Sequence, residues 1–184
     1  MLLQAHRSLL MIVDIQAALA PAVADGAACI RRSRFLIEAA RALDVPLLAT
    51  EQYPERLGPT VEDLRELIEP ERVWPKLAFA ASGDPRIRET VLEARRPQLV
   101  IGGMEAHVCV LQTALGFRAL GLDAVVVADA VASRAPENRE RALARMQAAG
   151  VPVVTSEMVV FEWLERAGTQ AFRTLLPLIR DGAR

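Results

Sequence analysis

Aromatic side chains are scarce in this chain: its 184 residues include five Phe, two Trp and one Tyr, only 4% of positions. A core must therefore be assembled from Ala, Val, Leu and Ile, and with 52% of positions hydrophobic there is enough apolar material for one sizeable core. A single domain over residues 1–184 is the expectation. An excess of charge is missing as well. Twenty-two basic residues against 23 acidic ones leave a formal net charge of −1, too little to attract a phosphate backbone or an anionic membrane, so neither is expected as a partner. Long apolar runs are absent: Leu9 to Ile15 is interrupted by Asp14 and falls far short of the ~20 residues that cross a bilayer. Nothing in the first thirty residues reads as a secretory signal. With only two cysteines, Cys29 and Cys109, the expectation is a cytoplasmic protein whose thiols are free.

Metal-ligand patterns are also missing. There are two histidines, His6 and His107, and no CxxC or HExxH spacing, so no metal is expected. The segment GGMEAH does not match GxGxxG, and no dinucleotide or other cofactor is expected.

What the chain does have is alternation. Strand-length apolar runs (SLLMIVD, VPLLAT, PQLVIGG, DAVVVAD, VPVVTS) take turns with segments of helical period such as RRSRFLIEAARALD and PENRERALARMQAAG. That order is the signature of repeated βαβ units, and continuous Val/Ile/Leu runs suit parallel strands covered on both faces. Gly121 and Gly150 fall where helices end, and Pro136 where one begins. Pro54, Pro59, Pro70, Pro75 and Pro85 break residues 51–85 into short pieces. Two C-terminal helical segments follow, the second interrupted at Pro177.

Open parallel sheets bind ligands beyond the carboxyl ends of their strands, which directs attention to the polar residues at those ends. Asp14 closes the run LLMIV, where it serves either as a turn cap or as a functional carboxylate. Lys76 lies between Trp74-Pro75 and Leu77-Ala78-Phe79, an apolar setting in which an ammonium needs an acidic partner. Cys109 follows Gly102 and Gly103 into a helix whose N-terminus favours an anion and lowers a thiol pKa. Spacing alone favours a small packing hydrophobe, because free cysteine is among the most buried residue types. His107 stands two residues earlier, too close along a helix to face the same thiol as its base; it either caps the helix or lines a pocket. Cys29 has no comparable setting and reads as packing.

Taken together, LLMIVDIQ, VWPKLAFAA, IGGMEAHVCVLQTA and VVVADAVASRAPENRERALARM resemble the isochorismatase-like cysteine hydrolases in order and spacing over residues 8 to 164. TEQYP, Thr50 to Pro54, is similar to the small isochorismatase-domain proteins in particular. The resemblance implies a three-layer α/β/α Rossmann-like fold with a mainly parallel sheet of about six strands. It further implies an Asp14, Lys76, Cys109 triad: Cys109 as nucleophile, Asp14 passing its proton, Lys76 balancing charge. A non-proline cis peptide maps to Met104–Glu105, where it turns the backbone N–H groups of Glu105 and Cys109 toward an oxyanion. The histidines of metal-dependent nicotinamidases have no counterpart in TEQYPERLGPTVEDL.

The reading that follows is a metal-independent hydrolase of a small amide-type substrate acting through a thioester. Gln16, Tyr53, Phe79 and His107 are its substrate-binding candidates, and Gln16 serves equally well as a strand-end hydrogen bonder. Two alternatives stay open: a vinyl-ether hydrolase using Asp14 as general acid, and a non-catalytic oligomeric member of the fold. Apolar faces on the C-terminal segments lead us to expect a homo-oligomer, a dimer or larger.

Overall fold

The structure is a computed structural model that describes residues 1–182. Its core is a six-stranded sheet built from β1 (Ser8–Val13), β2 (Leu47–Gln52), β3 (Val73–Lys76), β4 (Gln98–Met104), β5 (Asp123–Ala132) and β6 (Val153–Val154), in the order β3-β2-β1-β4-β5-β6. Every neighbouring pair is parallel. The apolar strands have this character because both faces are covered. Along β1, Leu10 and Ile12 join one buried cluster while Leu9, Met11 and Val13 join the other, as the two-residue period of a strand requires.

On the first face lie α1 (Gly26–Ala42), α7 (Ser156–Leu164) and α8 (Gln170–Gly182); on the second lie α4 (Pro85–Glu93), α5 (Leu111–Ala119) and α6 (Pro136–Ala148). The result is the expected three-layer arrangement. The proline-rich region yields two single-turn helices, α2 (Pro54–Leu57) and α3 (Glu62–Arg65), before β3. Pro136 opens α6, and Gly121 and Gly150 end their helices at positive φ.

Two local expectations change. Pro177 lies inside a continuous α8 rather than interrupting it, with Leu175 and Ile179 buried on either side of it to hold both turns against α1. The apolar residues of α7 and α8 are also less available than expected. Val159, Val160, Trp163, Leu164, Leu175 and Ile179 all belong to the core of the chain itself, because α1 alone leaves that face of the sheet uncovered. Met158 and Phe161 remain exposed.

The topology fixes where a ligand can bind. Connections leave β1 and β4 toward opposite faces, and the crevice at their carboxyl ends is the switch point of the sheet. The two strands approach closely there. A Cβ at Gly103, whose φ is 142°, would lie 2.1 Å from the Val13 carbonyl oxygen, so no other residue fits at this crossing.

Candidate active site at the sheet switch point

Asp14 is the first residue beyond β1. It is fully buried, with φ of 53°. Its N–H donates to the Thr50 carbonyl (3.0 Å), while the Thr50 hydroxyl donates to Oδ1 (2.7 Å). Oδ2 accepts from Lys76 Nζ at 2.7 Å. Lys76 ends β3 with its side chain wholly buried, and Nζ also donates to Gln52 Oε1 (2.7 Å) and the Phe79 carbonyl (3.2 Å). All three ammonium donors have acceptors, which is the condition under which a buried charge is tolerated. The pair arises from register: β1 and β2 align Val13 with Thr50, and β2 and β3 align Gln52 with Lys76.

Cys109 lies in a π-helical turn, Ala106–Val110, that leads into α5, and it is 5% exposed. Its thiol is pushed up to about 12: burial acts first, then the Asp14 carboxylate, against the opposing pull of Lys76, with an Asp14 hydrogen bond and the Glu105 charge adding to the rise. This reverses the thiolate expected from a helix N-terminus. Desolvation and two carboxylates outweigh the helix end, and the charge of Lys76 is already engaged by Asp14.

The Met104–Glu105 peptide bond is cis. The Glu105 side chain turns to Arg134, whose Nε donates to both carboxylate oxygens (2.8 and 3.1 Å) and whose Nη2 closes a second contact. Burial works to raise the Glu105 carboxyl, but these Arg134 interactions, with a contribution from His107, hold it below its usual range. His107 Nδ1 lies 3.1 Å from Ser133 Oγ and 3.4 Å from Glu105 Oε2, and Nε2 lies 3.4 Å from Asn138 Nδ2. The ring is therefore anchored at both nitrogens.

Tyr53 and Phe79 stand at the rim, 44% and 54% exposed. Tyr53 borders a cleft of about 450 Å³ that Leu77, Asp84 and Arg86 also line and that reaches Lys76. The segment after β3 is docked on α5. Thr113 Oγ1 accepts from Ala81 N–H (2.9 Å), and a Cβ at Gly116 would sit 2.0 Å from Ser82 Oγ.

Gln16 takes the second of its two expected roles, that of a strand-end hydrogen bonder. Its amide is fully buried and engaged with backbone: Nε2 donates to Gln52 and Gly58 carbonyls (3.0 and 2.7 Å), and Oε1 accepts from Gln52 N–H (2.8 Å). A side chain so placed ties the end of β1 to β2. Thr50, Gln52, Glu105 and Arg134 all lie at strand ends, where the sequence directs attention, but their pairings with Asp14, Lys76 and each other depend on register and chain reversal and were not legible. One signal was available and unused: Lys76 is the only lysine among 22 basic residues. Among the described residues, no three His, Cys, Asp or Glu side chains gather as a metal site.

A parallel α/β sheet with a cysteine, a buried carboxylate and an ammonium at its switch point defines the class, an α/β/α protein of hydrolase fold. The chain belongs to the isochorismatase family, whose isochorismatase-domain model matches residues 8–158. It is 33% identical to isochorismatase domain-containing protein 2A of Mus musculus over 175 residues, covering 95% of this chain and 83% of that protein. Among solved structures, the MAR1 ribonuclease from Caenorhabditis elegans superposes with a TM-score of 0.92 at 33% identity, covering 98% of this chain and 93% of that one. YcaC from Pseudomonas aeruginosa, solved with hexane-2,5-diol and covalent acrylamide, gives 0.90 at 25% identity over 99% and 94% of the two chains. Escherichia coli YcaC, an octameric hydrolase of unknown specificity, gives 0.88 at 25% identity over 99% and 93%.

Proposed function

We propose that this chain is a metal-independent cysteine hydrolase that cleaves an amide-type C–N bond of a small substrate through a thioester on Cys109. One observation carries the reading: a buried carboxylate, Asp14, is fixed by Thr50 and Lys76 where its charge and hydrogen bonding act on the Cys109 thiol. Because that thiol rests in its neutral form, proton transfer and attack must proceed together. Sγ adds to the carbonyl carbon as Asp14 accepts the thiol proton, and the backbone N–H groups of Glu105 and Cys109 receive the oxyanion. Asp14 then returns the proton to the departing amine. Water attacks the thioester, again through Asp14, and the proton ends on Sγ. Lys76 holds the carboxylate in place and offsets its charge.

Tyr53, Phe79 and His107 hold the rest of the substrate, and Gln16 acts at one remove by fixing Gln52. The covalent acrylamide of a relative supports thiol chemistry, since acrylamide is an acceptor for thiol addition. The octameric relative supports a homo-oligomer. The two free, buried cysteines suit a reducing cytoplasm. Among the described residues no helix is long and apolar enough to cross a membrane.

The test is a panel of small amides and esters, with intact-mass trapping of an acyl adduct and Cys109→Ala as control. The expected result is an adduct on Cys109 and turnover that disappears with it. Turnover retained by Cys109→Ala would favour Asp14 as general acid in vinyl-ether hydrolysis. Neither adduct nor turnover across the panel would favour a non-catalytic role. An RNA arm addresses the activity named for the worm relative; Cys109-dependent RNA cleavage would overturn the small-molecule assignment.

A further inference from the structure

The charges around Cys109 leave no cation without a partner. Two carboxylates, Asp14 and Glu105, oppose a negative charge on its sulfur, and one ammonium, Lys76, favours it. That ammonium has no donor to spare, because its three hydrogens face Asp14, Gln52 and the Phe79 carbonyl. Arg134 is committed to Glu105 through two nitrogens. Arg86, at the outer cleft, is held by Asp84 (3.0 Å) and the Pro75 carbonyl (3.1 Å). His107 has a partner at each ring nitrogen. The apolar groups, in contrast, are open: Tyr53, Leu77 and Phe79 are 44%, 71% and 54% exposed.

We propose that the Cys109 site selects uncharged substrates with an apolar flank, neutral amides or esters, and rejects small carboxylates. The inference rests on the thiol reading above and adds the substrate class. A carboxylate drawn in beside Cys109 would lose its hydration without gaining a cation, and would face Asp14 and Glu105. A neutral amide of the same size loses less on entry and places its hydrocarbon part against the exposed rim.

The two electrophiles iodoacetamide and iodoacetate test this, since they match in size and differ by one charge. In both reactions Sγ bonds to the methylene carbon, iodide leaves with the bonding pair, and the thiol proton passes to Asp14 and then to solvent. Peptide-resolved mass spectrometry of the intact native protein reads Cys109 apart from Cys29, and glutathione supplies the intrinsic ratio of the two reagents. Cys109 is expected to prefer iodoacetamide about tenfold or more beyond glutathione, the scale of a charge that loses its water without gaining a cation. Glu105→Gln removes one carboxylate and releases Arg134, and should reduce that preference several-fold. Arg134→Gln, a change at a side chain 65% exposed, leaves Glu105 unneutralised and should raise it, which keeps the test intact if Glu105→Gln does not fold. A ratio equal to that of glutathione, or one that neither variant moves, overturns the inference while leaving the thiol reading standing. Should Cys109 label with neither reagent in the native protein yet label fully in urea, the thiol reading fails and the inference fails with it.

Discussion

The two thiols, Cys29 and Cys109, are both buried, both free, and both held at about 12. Their surroundings differ. Cys29, on α1, points its sulfur at the carbonyls of Ala130 (3.2 Å) and Gly103 (3.9 Å), and burial dominates its environment, with smaller opposing contributions from Ser33 and Arg139. Cys109 adds to burial the charge of a fixed carboxylate, Asp14, which works against a thiolate, and a lysine balanced against it. Both thiols are thus raised, one near the fixed carboxylate of Asp14 and one whose sulfur faces backbone carbonyls. Burial disfavours the thiolate in both places; in the mechanism proposed above, only the Cys109 proton has a carboxylate to receive it when an electrophile arrives.

The largest expected effect separates the two directly. Cys109→Ala should lower turnover by about a thousandfold or more, as loss of a covalent nucleophile does, whereas Cys29→Ala should leave turnover within about threefold and cost about 1–2 kcal/mol of stability from the space it opens. Steady-state kinetics and urea unfolding read both. Equal losses of activity would erase the distinction between the sites.

The next experiment targets the carboxylate. Asp14→Asn should reduce turnover by about 10²–10⁴-fold and destabilise by about 3–5 kcal/mol, because Lys76 is left charged and buried without its counterion. Replacing both members, Asp14→Leu with Lys76→Met, should return most of the stability and none of the activity. Lys76→Arg should not restore function: a planar guanidinium cannot match three acceptors arranged around a compact ammonium. Urea midpoints of the single and double variants check these values, and a double variant no more stable than either single one would count against the pairing.

A third effect, smaller and shared by both thiols, appears in alkali. Each folded-state pKa of about 12 exceeds an ordinary value of 9.0, so above pH 9 the unfolded chain binds fewer protons than the folded one. Stability is then complete below pH 9 and is lost as pH rises toward 12, by on the order of a few kcal/mol. Cys29→Ala should flatten that slope without touching the pH dependence of turnover. Identical slopes in wild type and variant, followed by chemical denaturation from pH 8 to 10.5, would show that burial of Cys29 does not set its acidity. The smallest effects are expected from chelation, which should change turnover by less than about twofold, and from Arg134→Gln, which should cost less than about 1 kcal/mol because the arginine is mostly exposed.

Legibility followed the range of the interactions. Asp14 was readable because it ends an apolar run, and Lys76 because it interrupts one; both effects are local in sequence. Gln16 stayed open between two roles because a glutamine after a strand end reads the same whether its amide faces a ligand or the backbone of β2. The acidity of Cys109 was misjudged for a related reason. A helix N-terminus is visible in sequence, but the depth of the thiol and the distance to Asp14 and Glu105 are not. The apolar positions of α7 and α8 read as surplus until α1 proved too narrow to cover its side of the sheet alone.

The sequence by itself determined the parallel α/β architecture, through strand-length apolar runs alternating with helical periods, and it placed its chemistry-bearing residues at the strand ends, because local pattern decides secondary structure and the order of elements. Only the tertiary structure decided which of those residues meet. Parallel pairing of β1 with β2 and β2 with β3 brings Asp14, Thr50, Gln52 and Lys76 together from three separate segments, and the shared burial of that cluster with Cys109 sets the thiol in its neutral form. Contacts between distant segments, and the loss of water around them, depend on register and depth, which no stretch of sequence contains.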